Sequence, residues 1–120
     1  MKVISSSLHR ILDYGTVLAF AVAPFLVPLS GSARLLAVVL APVHLAVTLA
    51  TRYPDIPRSR PLSWRAHGML EIAVGLVLAV LPFALEWKGR NRNFYLGAAA
   101  VFVIVWALTD WRERHRRAIA

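Results

Sequence analysis

Long apolar stretches alternate along this chain with short polar ones. The apolar stretches cover residues 11–29, 35–51, 63–87 and 94–111. At a rise of about 1.5 Å per residue, roughly 20 helical residues cross the hydrocarbon core of a bilayer. In lipid only helices and closed barrels satisfy the backbone, and these stretches are too long and too uniformly apolar for barrel strands. The pattern therefore predicts an all-α membrane protein with four transmembrane helices.

The chain also repeats itself at an offset of 58 residues without a gap. The matched residues include His9/His67, Asp13/Glu71, Pro24/Pro82, Phe25/Phe83, Gly31/Gly89, Arg34/Arg92 and Thr51/Thr109. Self-similarity at a fixed period is the signature of a repeated structural unit. Because each unit contains an even number of spans, we predict two tandem helical hairpins that lie parallel to each other.

The repeat divides one membrane domain, residues 1–120, into four segments. Repeat one covers about residues 5–53, a proline-containing linker 54–62, repeat two about 63–111, and a basic tail 112–120. The linker is the one long polar stretch inside the chain, which is typical of a connection between structural units.

Composition agrees with a membrane location. The 120 residues are 58% hydrophobic with a mean hydropathy of +0.60, which is too apolar for a soluble domain of this size. The chain has no cysteine, so disulfides and thiolate metal sites are excluded. The net charge of +8 could indicate nucleic acid, but the basic residues flank the apolar stretches. We expect the lipid bilayer, and no nucleic acid, as a partner.

The basic residues are distributed unequally between the two sides of this arrangement. Ten lie in the N-terminus, linker and tail, and four lie in the two hairpin turns. The positive-inside rule then places both termini in the cytoplasm, in a multi-pass protein of the cell inner membrane. Lipid headgroup contacts are expected at Arg112, Arg114, Arg116 and Arg117. Interfacial aromatic anchors are expected at Tyr53, Trp64 and Trp111 on this side and at Trp87 and Tyr95 on the other.

A histidine and an acid four residues later open each repeat, as His9/Asp13 and His67/Glu71. That spacing puts each pair on one helix face. If the hairpins pack around a two-fold axis, the pairs could meet and hold Zn, Mn or Fe, or relay protons. The simpler interpretation keeps each pair in the first turns of its helix, where the positive helix end favours a carboxylate. We favour this structural role and predict no cofactor; a metal at these four residues is the less favoured alternative.

His44 is a separate polar residue, about ten residues into the second span and therefore near the bilayer midplane. A polar group at that depth usually faces the bundle interior. We favour a hydrogen bond from His44 to the backbone or to Thr48 over a ligand or proton role. Helix kinks are predicted at Pro24, Pro42 and Pro82, because proline cannot donate to the preceding turn.

The two copies resemble the SPW-repeat family of small bacterial integral membrane proteins. Each hairpin of that family has an acid early in its first helix, followed by Ser-Pro-Trp. Here Asp13 is followed by Ala23-Pro24-Phe25 and Glu71 by Leu81-Pro82-Phe83, so Ser and Trp are both replaced. The resemblance covers residues 9–111 and implies four spans in two repeats. It implies no substrate, because the family has no established activity.

Function is less constrained than architecture. The sequence shows no nucleophile–base constellation, glycine-rich phosphate loop or HExxH motif, so an enzyme is less expected than a non-enzymatic protein. Four short helices bury little interior, and Gly97-Ala98-Ala99-Ala100 permits close approach of another helix. We therefore expect a scaffold or accessory subunit that docks on another membrane protein or on itself. The alternatives are a dimeric transporter or channel for a small solute or proton and, third, a membrane enzyme or cofactor-binding protein.

Single cysteines introduced at Ser59 and at Ser32 test the predicted topology, because the chain has no cysteine of its own. We expect the two to react with a membrane-impermeant maleimide from opposite sides of oriented vesicles. The cysteine-free parent chain is the control. Labelling of both positions from one side would rule out the four-span arrangement.

Overall fold

The computed structural model of the chain describes residues 2–56 and 59–113. These residues form four α-helices: α1 (Ser6–Leu26), α2 (Gly31–Ala50), α3 (Trp64–Ala84) and α4 (Gly89–Leu108). The prediction of an all-α protein with four helices is confirmed. The expected lipid contacts at Arg114, Arg116 and Arg117 lie outside the described residues, whereas Arg112 is described and exposed.

Three of the helices begin four or five residues earlier than the apolar pattern predicted, because polar residues and glycine form their first turns. The Ser5 side chain accepts from the Leu8 amide at 3.3 Å and caps α1, and Ser63 caps α3 in the same way. The helices α2 and α4 begin at Gly31 and Gly89, whose φ values are 55° and 58°. Glycine is the residue that adopts this left-handed conformation without strain.

Three helices, α2, α3 and α4, are long and apolar enough to cross a membrane. The 21-residue helix α1 is equally long but is not one of them. Its first two turns carry His9, Arg10 and Asp13, which lower its mean hydropathy. These observations make the chain a membrane protein, and many large apolar side chains are exposed on its outer surface.

Two backbone hydrogen bonds at one end of the bundle join the segments before α1 and α3 to the last turns of α4 and α2. Helix α1 packs mainly on α2, and α3 packs mainly on α4. The amide of Ile4 donates to the carbonyl of Leu108 at 2.9 Å, and that of Leu62 donates to Ala50 at 2.8 Å. These two contacts lie 58 residues apart in both partners. As a result, α1 and α3 begin, and α2 and α4 end, at the same end of the bundle, which we call the histidine end.

The rest of the interior is packed with apolar side chains. This core consists of Phe20, Leu29, Ala33, Ala37, Ala41, Leu78, Trp87, Tyr95, Ala99 and Phe102. Three alanines spaced by four residues give α2 a narrow inner face, which allows close helix approach. The Tyr95 hydroxyl donates to the Ala33 carbonyl at 2.6 Å, and Trp87 Nε1 donates to Ser32 Oγ at 3.0 Å. Trp87 and Tyr95, expected as interfacial anchors, are therefore buried and hydrogen-bonded within the protein.

The predicted kink prolines lie at different places in their helices. Pro24 and Pro82 lie two residues before the ends of α1 and α3, so they belong to the last turn. Their carbonyls accept from the amides of Leu29 at 3.1 Å and Trp87 at 2.8 Å, which closes each helix end. These two prolines therefore mark terminations, whereas Pro42 lies well inside α2.

Glycine at position 75 sets the distance between α3 and α4. A Cβ at Gly75 would lie 3.1 Å from Phe102 Cβ and 3.3 Å from Val103 Cγ2, whereas a Cβ at Gly97 would meet nothing within 4 Å. We expect Gly75→Val to lower the free energy of unfolding in detergent by about 1–3 kcal/mol through overpacking. Gly97→Val is the matched control. Equal thermal stability of the two variants would contradict this account of the helix contact.

Candidate functional site

The two predicted His/acid pairs meet at the histidine end. His9 and Asp13 on α1 and His67 and Glu71 on α3 are all at most 7% exposed. Each offers one ligand atom, and these atoms all lie within 4.8 Å of one another. The spacing of four residues puts each pair on one face of its helix, and the two faces are turned toward each other. We call these four residues the central cluster.

Three nitrogen–oxygen pairs within the central cluster lie the same distance apart. His9 Nε2 lies 3.3 Å from Asp13 Oδ1 and 3.3 Å from Glu71 Oε2, and His67 Nε2 lies 3.3 Å from Asp13 Oδ2. A charge-assisted hydrogen bond between such groups is usually about 2.7–2.9 Å long. Although both atoms are buried, His9 Nε2 and Glu71 Oε2 make no hydrogen bond.

The expected interfacial role of these pairs does not agree with their surroundings. Because α1 begins at Ser6 and α3 begins at Trp64, Asp13 and Glu71 lie about two turns into their helices. The field of a helix end falls off within the first turn. Both carboxylates are also withdrawn from water. Their positions are therefore explained by the cluster and not by helix capping.

Two threonines fix the orientation of the imidazoles. Thr109 Oγ1 donates its only hydrogen to the Val105 carbonyl at 2.6 Å, so it can only accept from His9 Nδ1, 2.9 Å away. Thr51 Oγ1 likewise donates to the Val47 carbonyl at 2.6 Å and accepts from His67 Nδ1 at 2.8 Å. Both histidines therefore carry a proton on Nδ1 and turn Nε2 toward the carboxylates. Such an outer hydrogen bond is the usual partner of a metal-ligating histidine.

His44 is part of the same region. Its Nε2 lies 3.4 Å from Asp13 Oδ1 and makes no hydrogen bond. Thr48, one turn further on, donates to the backbone carbonyl of His44 at 2.8 Å and not to its imidazole. The ring packs edge-on against Phe102, with centroids 5.8 Å apart. We predicted His44 from the sequence as a separate intramembrane residue, whereas the structure places it beside the central cluster.

Aromatic side chains cover the central cluster at the histidine end of the bundle. Trp64 and Trp111 pack against His9 with centroids 5.3 and 5.0 Å away, and Tyr53 packs on Trp64 at 5.4 Å. We call these three residues the aromatic cover. Tyr53 and Trp64 are buried, so they seal the site instead of anchoring the membrane interface.

Tyr53 also contacts the cluster directly, because its hydroxyl donates a hydrogen bond to Asp13 Oδ2. Burial raises the pKa of the Tyr53 hydroxyl, and the neighbouring Asp13 carboxylate raises it further. Tyr53 therefore stays protonated and remains a donor. Outside the cover, Arg10 Nη2 donates to Asp55 Oδ2 at 2.6 Å, and the Ser6 amide donates to Glu113 Oε1 at 3.0 Å. These contacts hold the linker and the segment that follows α4 over the site.

Sequence reasoning missed several members of the site. Thr51 and Thr109 were recognised only as a matched pair in the repeat, although their shared position at the ends of α2 and α4 is the signal that could have found them. The aromatic cover was assigned to the interface, because composition alone does not distinguish an anchor from a seal.

Comparison of the chain with protein-family models, with curated proteins and with solved structures found no match. The resemblance to the SPW-repeat family therefore stays a prediction.

Replacing Thr51 or Thr109 by valine tests the orienting role of these hydroxyls. Each substitution keeps the shape but removes the acceptor of a buried imidazole N–H, and we expect a loss of about 1–3 kcal/mol in unfolding free energy. Thr16→Val is the matched control, because Thr16 Oγ1 makes the same bond to a carbonyl one turn back, at 2.8 Å from Leu12, with no imidazole attached. If Thr16→Val costs as much as Thr109→Val, the imidazole bond has no special role.

Proposed function

We propose that this chain is an integral membrane protein whose two helical hairpins are held together by one divalent transition-metal ion in the central cluster. The single observation that carries the proposal is the spacing of the ligand atoms. Metal–nitrogen and metal–oxygen bonds of about 2.0–2.1 Å put neighbouring ligand atoms of a tetrahedral site about 3.3 Å apart. Three nitrogen–oxygen pairs of the central cluster lie at this distance, 3.3 Å each, with both Asp13 oxygens taking part.

The protonation of the cluster supports the same conclusion. His9 and His67 donate through Nδ1 to the threonines, which leaves each Nε2 lone pair free to bind a cation when the ring is neutral. Two carboxylates and a divalent ion are together neutral, so the buried site carries no net charge. Isolated buried carboxylates would cost several kcal/mol each.

The donor set narrows the choice of metal. Two imidazole nitrogens and two carboxylate oxygens suit Zn²⁺, Fe²⁺ or Mn²⁺, and the absence of thiolate and thioether donors disfavours Cu⁺. Four protein ligands make a closed site, which is typical of structural metal ions. A metal that fastens α1 to α3 is compatible with a scaffold or accessory subunit and does not require an enzyme.

The membrane setting completes the proposal. The positive-inside rule puts the histidine end at the cytoplasmic face of the inner membrane, with α1 as the fourth span. The two hairpins are related by the 58-residue repeat, which brings equivalent residues to the central cluster. Exposed apolar side chains leave an outer surface for lipid, for another membrane protein or for a second copy of the chain.

Transport of the ion is a second candidate that receives less support. His44, 3.4 Å from Asp13, would give an ion one further step into the bundle. Beyond it, the core of the described residues is apolar, with Phe20, Leu78 and Phe102 among its members, and the Tyr95 hydroxyl there is already bonded to the Ala33 carbonyl. Ion flux into proteoliposomes would favour transport over a resident ion.

Native mass spectrometry and thermal unfolding in mild detergent test the resident metal. After treatment with a chelator and return of Zn²⁺, we expect one ion per chain and a higher unfolding temperature. An ion at 100 times its Kd would add about 2.7 kcal/mol to the stability. The same spectra count the chains in each particle, and a lone monomer with nothing co-purifying would count against the accessory-subunit hypothesis.

Matched carboxamide variants identify the ligands. Asp13→Asn and Glu71→Gln should each abolish the Zn²⁺-dependent rise in unfolding temperature, because each removes one ligand. Asp110→Asn is the control, since this carboxylate accepts from the Arg112 amide at 3.0 Å and lies outside the cluster. Retention of one tightly bound ion by Asp13→Asn, or absence of binding by the unaltered chain, would overturn the proposal.

A further inference from the structure

The two carboxylates of the central cluster hold equivalent positions in the repeats but have different polar neighbours. Asp13 Oδ1 lies 3.3 Å from His9 Nε2 and 3.4 Å from His44 Nε2. Asp13 Oδ2 lies 3.3 Å from His67 Nε2. Within the described residues, Glu71 has one such neighbour, His9 Nε2 at 3.3 Å, and its Oε2 makes no hydrogen bond. Asp13 is therefore the carboxylate with the larger set of polar contacts.

A hydrogen bond from Tyr53 adds to this difference. The Tyr53 hydroxyl donates to Asp13 Oδ2. At the offset of 58 residues, Tyr53 corresponds to Trp111, whose Nε1 donates to the Trp106 carbonyl at 2.8 Å. Because an indole has one N–H, Trp111 has no donor left for Glu71. The first repeat thus supplies a donor for its own carboxylate, and the equivalent residue of the second repeat does not.

Tyr53 is itself held in place from several sides. It lies three residues beyond the end of α2, and its side chain is 0% exposed. Its ring packs on Trp64 with centroids 5.4 Å apart, and the Arg10 guanidinium lies 5.9 Å from the ring centroid. Its carbonyl accepts from the Ile56 amide at 3.0 Å, which closes a turn. A donor fixed in this way restricts the orientation of the carboxylate that it binds.

Metal centres depend on hydrogen bonds of this kind. Ligating carboxylates are themselves hydrogen-bonded, and loss of such an outer partner typically weakens metal binding about 10–100-fold. In the central cluster, His9 and His67 already have outer partners in Thr109 and Thr51. Tyr53 supplies the corresponding partner for Asp13, so three of the four ligands have one.

The alternative is a purely structural role for the Tyr53 hydroxyl. A buried tyrosine needs an acceptor for its O–H, and the chain contains a second example. Tyr95 is also 0% exposed and donates to the Ala33 carbonyl at 2.6 Å, far from any acid. A structural role predicts that the two hydroxyls are equivalent, whereas a role in metal binding predicts that they differ.

We propose that Tyr53 is a positioning residue of the metal centre, whose hydroxyl holds the Asp13 carboxylate in the orientation in which it binds the ion. This inference rests on the proposed function. It adds to that function the group that sets the affinity and the coordination geometry of the bound ion.

Co²⁺ titrated into metal-free protein in mild detergent tests this role, because the visible absorption of Co²⁺ depends on the geometry of its ligands. Tyr53→Phe removes only the hydroxyl. We expect it to weaken Co²⁺ binding about 10–100-fold, measured in competition with a chelator of known affinity. We also expect a changed absorption spectrum at saturation, because a carboxylate without its donor can turn and bind the ion differently.

Tyr95→Phe is the matched control, because it removes the hydroxyl of the other fully buried tyrosine. It should leave the Kd for Co²⁺ and the absorption spectrum unchanged. A merely structural hydroxyl would affect thermal stability in both variants and Co²⁺ binding in neither. A Kd and spectrum of Tyr53→Phe equal to those of the unaltered chain would overturn the proposal, as would an equal loss of affinity in Tyr95→Phe.

A second measurement covers the case in which Tyr53→Phe does not fold. A ring-fluorinated tyrosine incorporated at position 53 or 95 keeps the hydroxyl and reports on it by fluorine NMR. The resonance at position 53 should shift when Zn²⁺ binds, because a metal-bound carboxylate oxygen is a weaker acceptor, and the resonance at position 95 should not. An unmoved resonance at position 53 in protein that has bound one ion per chain would overturn the proposal.

Metal binding by the unaltered chain separates this inference from the proposed function. Tight Co²⁺ binding that is the same in Tyr53→Phe would overturn the positioning role alone. Absence of Co²⁺ binding by the unaltered chain would overturn the proposed function, and this inference with it.

Discussion

The burial of two carboxylates is the constraint on which the rest of this structure depends. Asp13 and Glu71 are withdrawn from water where α1 meets α3, and a buried charge is stable only with compensation close by. The nearest arginine on α1, Arg10, is turned outward to Asp55. Compensation therefore has to come through the imidazoles of His9 and His67, either as protons or as a cation that they help to bind. The aromatic cover keeps water from supplying it instead.

Hydrogen bonds at this centre also join the two hairpins. His9 on α1 donates to Thr109 at the end of α4, and His67 on α3 donates to Thr51 at the end of α2. Each bond crosses from one hairpin to the other. In lipid the hydrophobic effect does not drive helices together, so packing and polar contacts of this kind hold a bundle in one arrangement. Residues of the central cluster thus also connect the two hairpins.

The sequence was a good guide to architecture and a partial guide to the site. Apolar length predicted four helices, and the offset of 58 residues matched the residues that meet at the centre. The apolar stretches began after the true starts of α1, α2 and α4, because polar residues and glycine form the first turns of these three helices. The late start placed Asp13 in the first turn of its helix and favoured a capping role, whereas Glu71 was given the same role although the start of α3 was predicted to within one residue. The burial of Tyr53 and Trp64 depends on how the linker folds back, which no local pattern reports.

The two repeats, compared at the offset of 58 residues, agree in some regions of the structure and differ in others. Residues that occupy the centre are matched in chemistry, as His9 is by His67 and Thr51 by Thr109, since a site built from both hairpins needs the same donors from each. Residues outside the centre need no such match. There the equivalence breaks at His44, which faces Phe102 across the interior and replaces an apolar ring by a hydrogen-bonding one. A polar side chain is costly at such a position unless something binds it. The matched centre therefore explains why the bundle is stable, and the unmatched histidine is the residue best placed to distinguish one lateral face from the other.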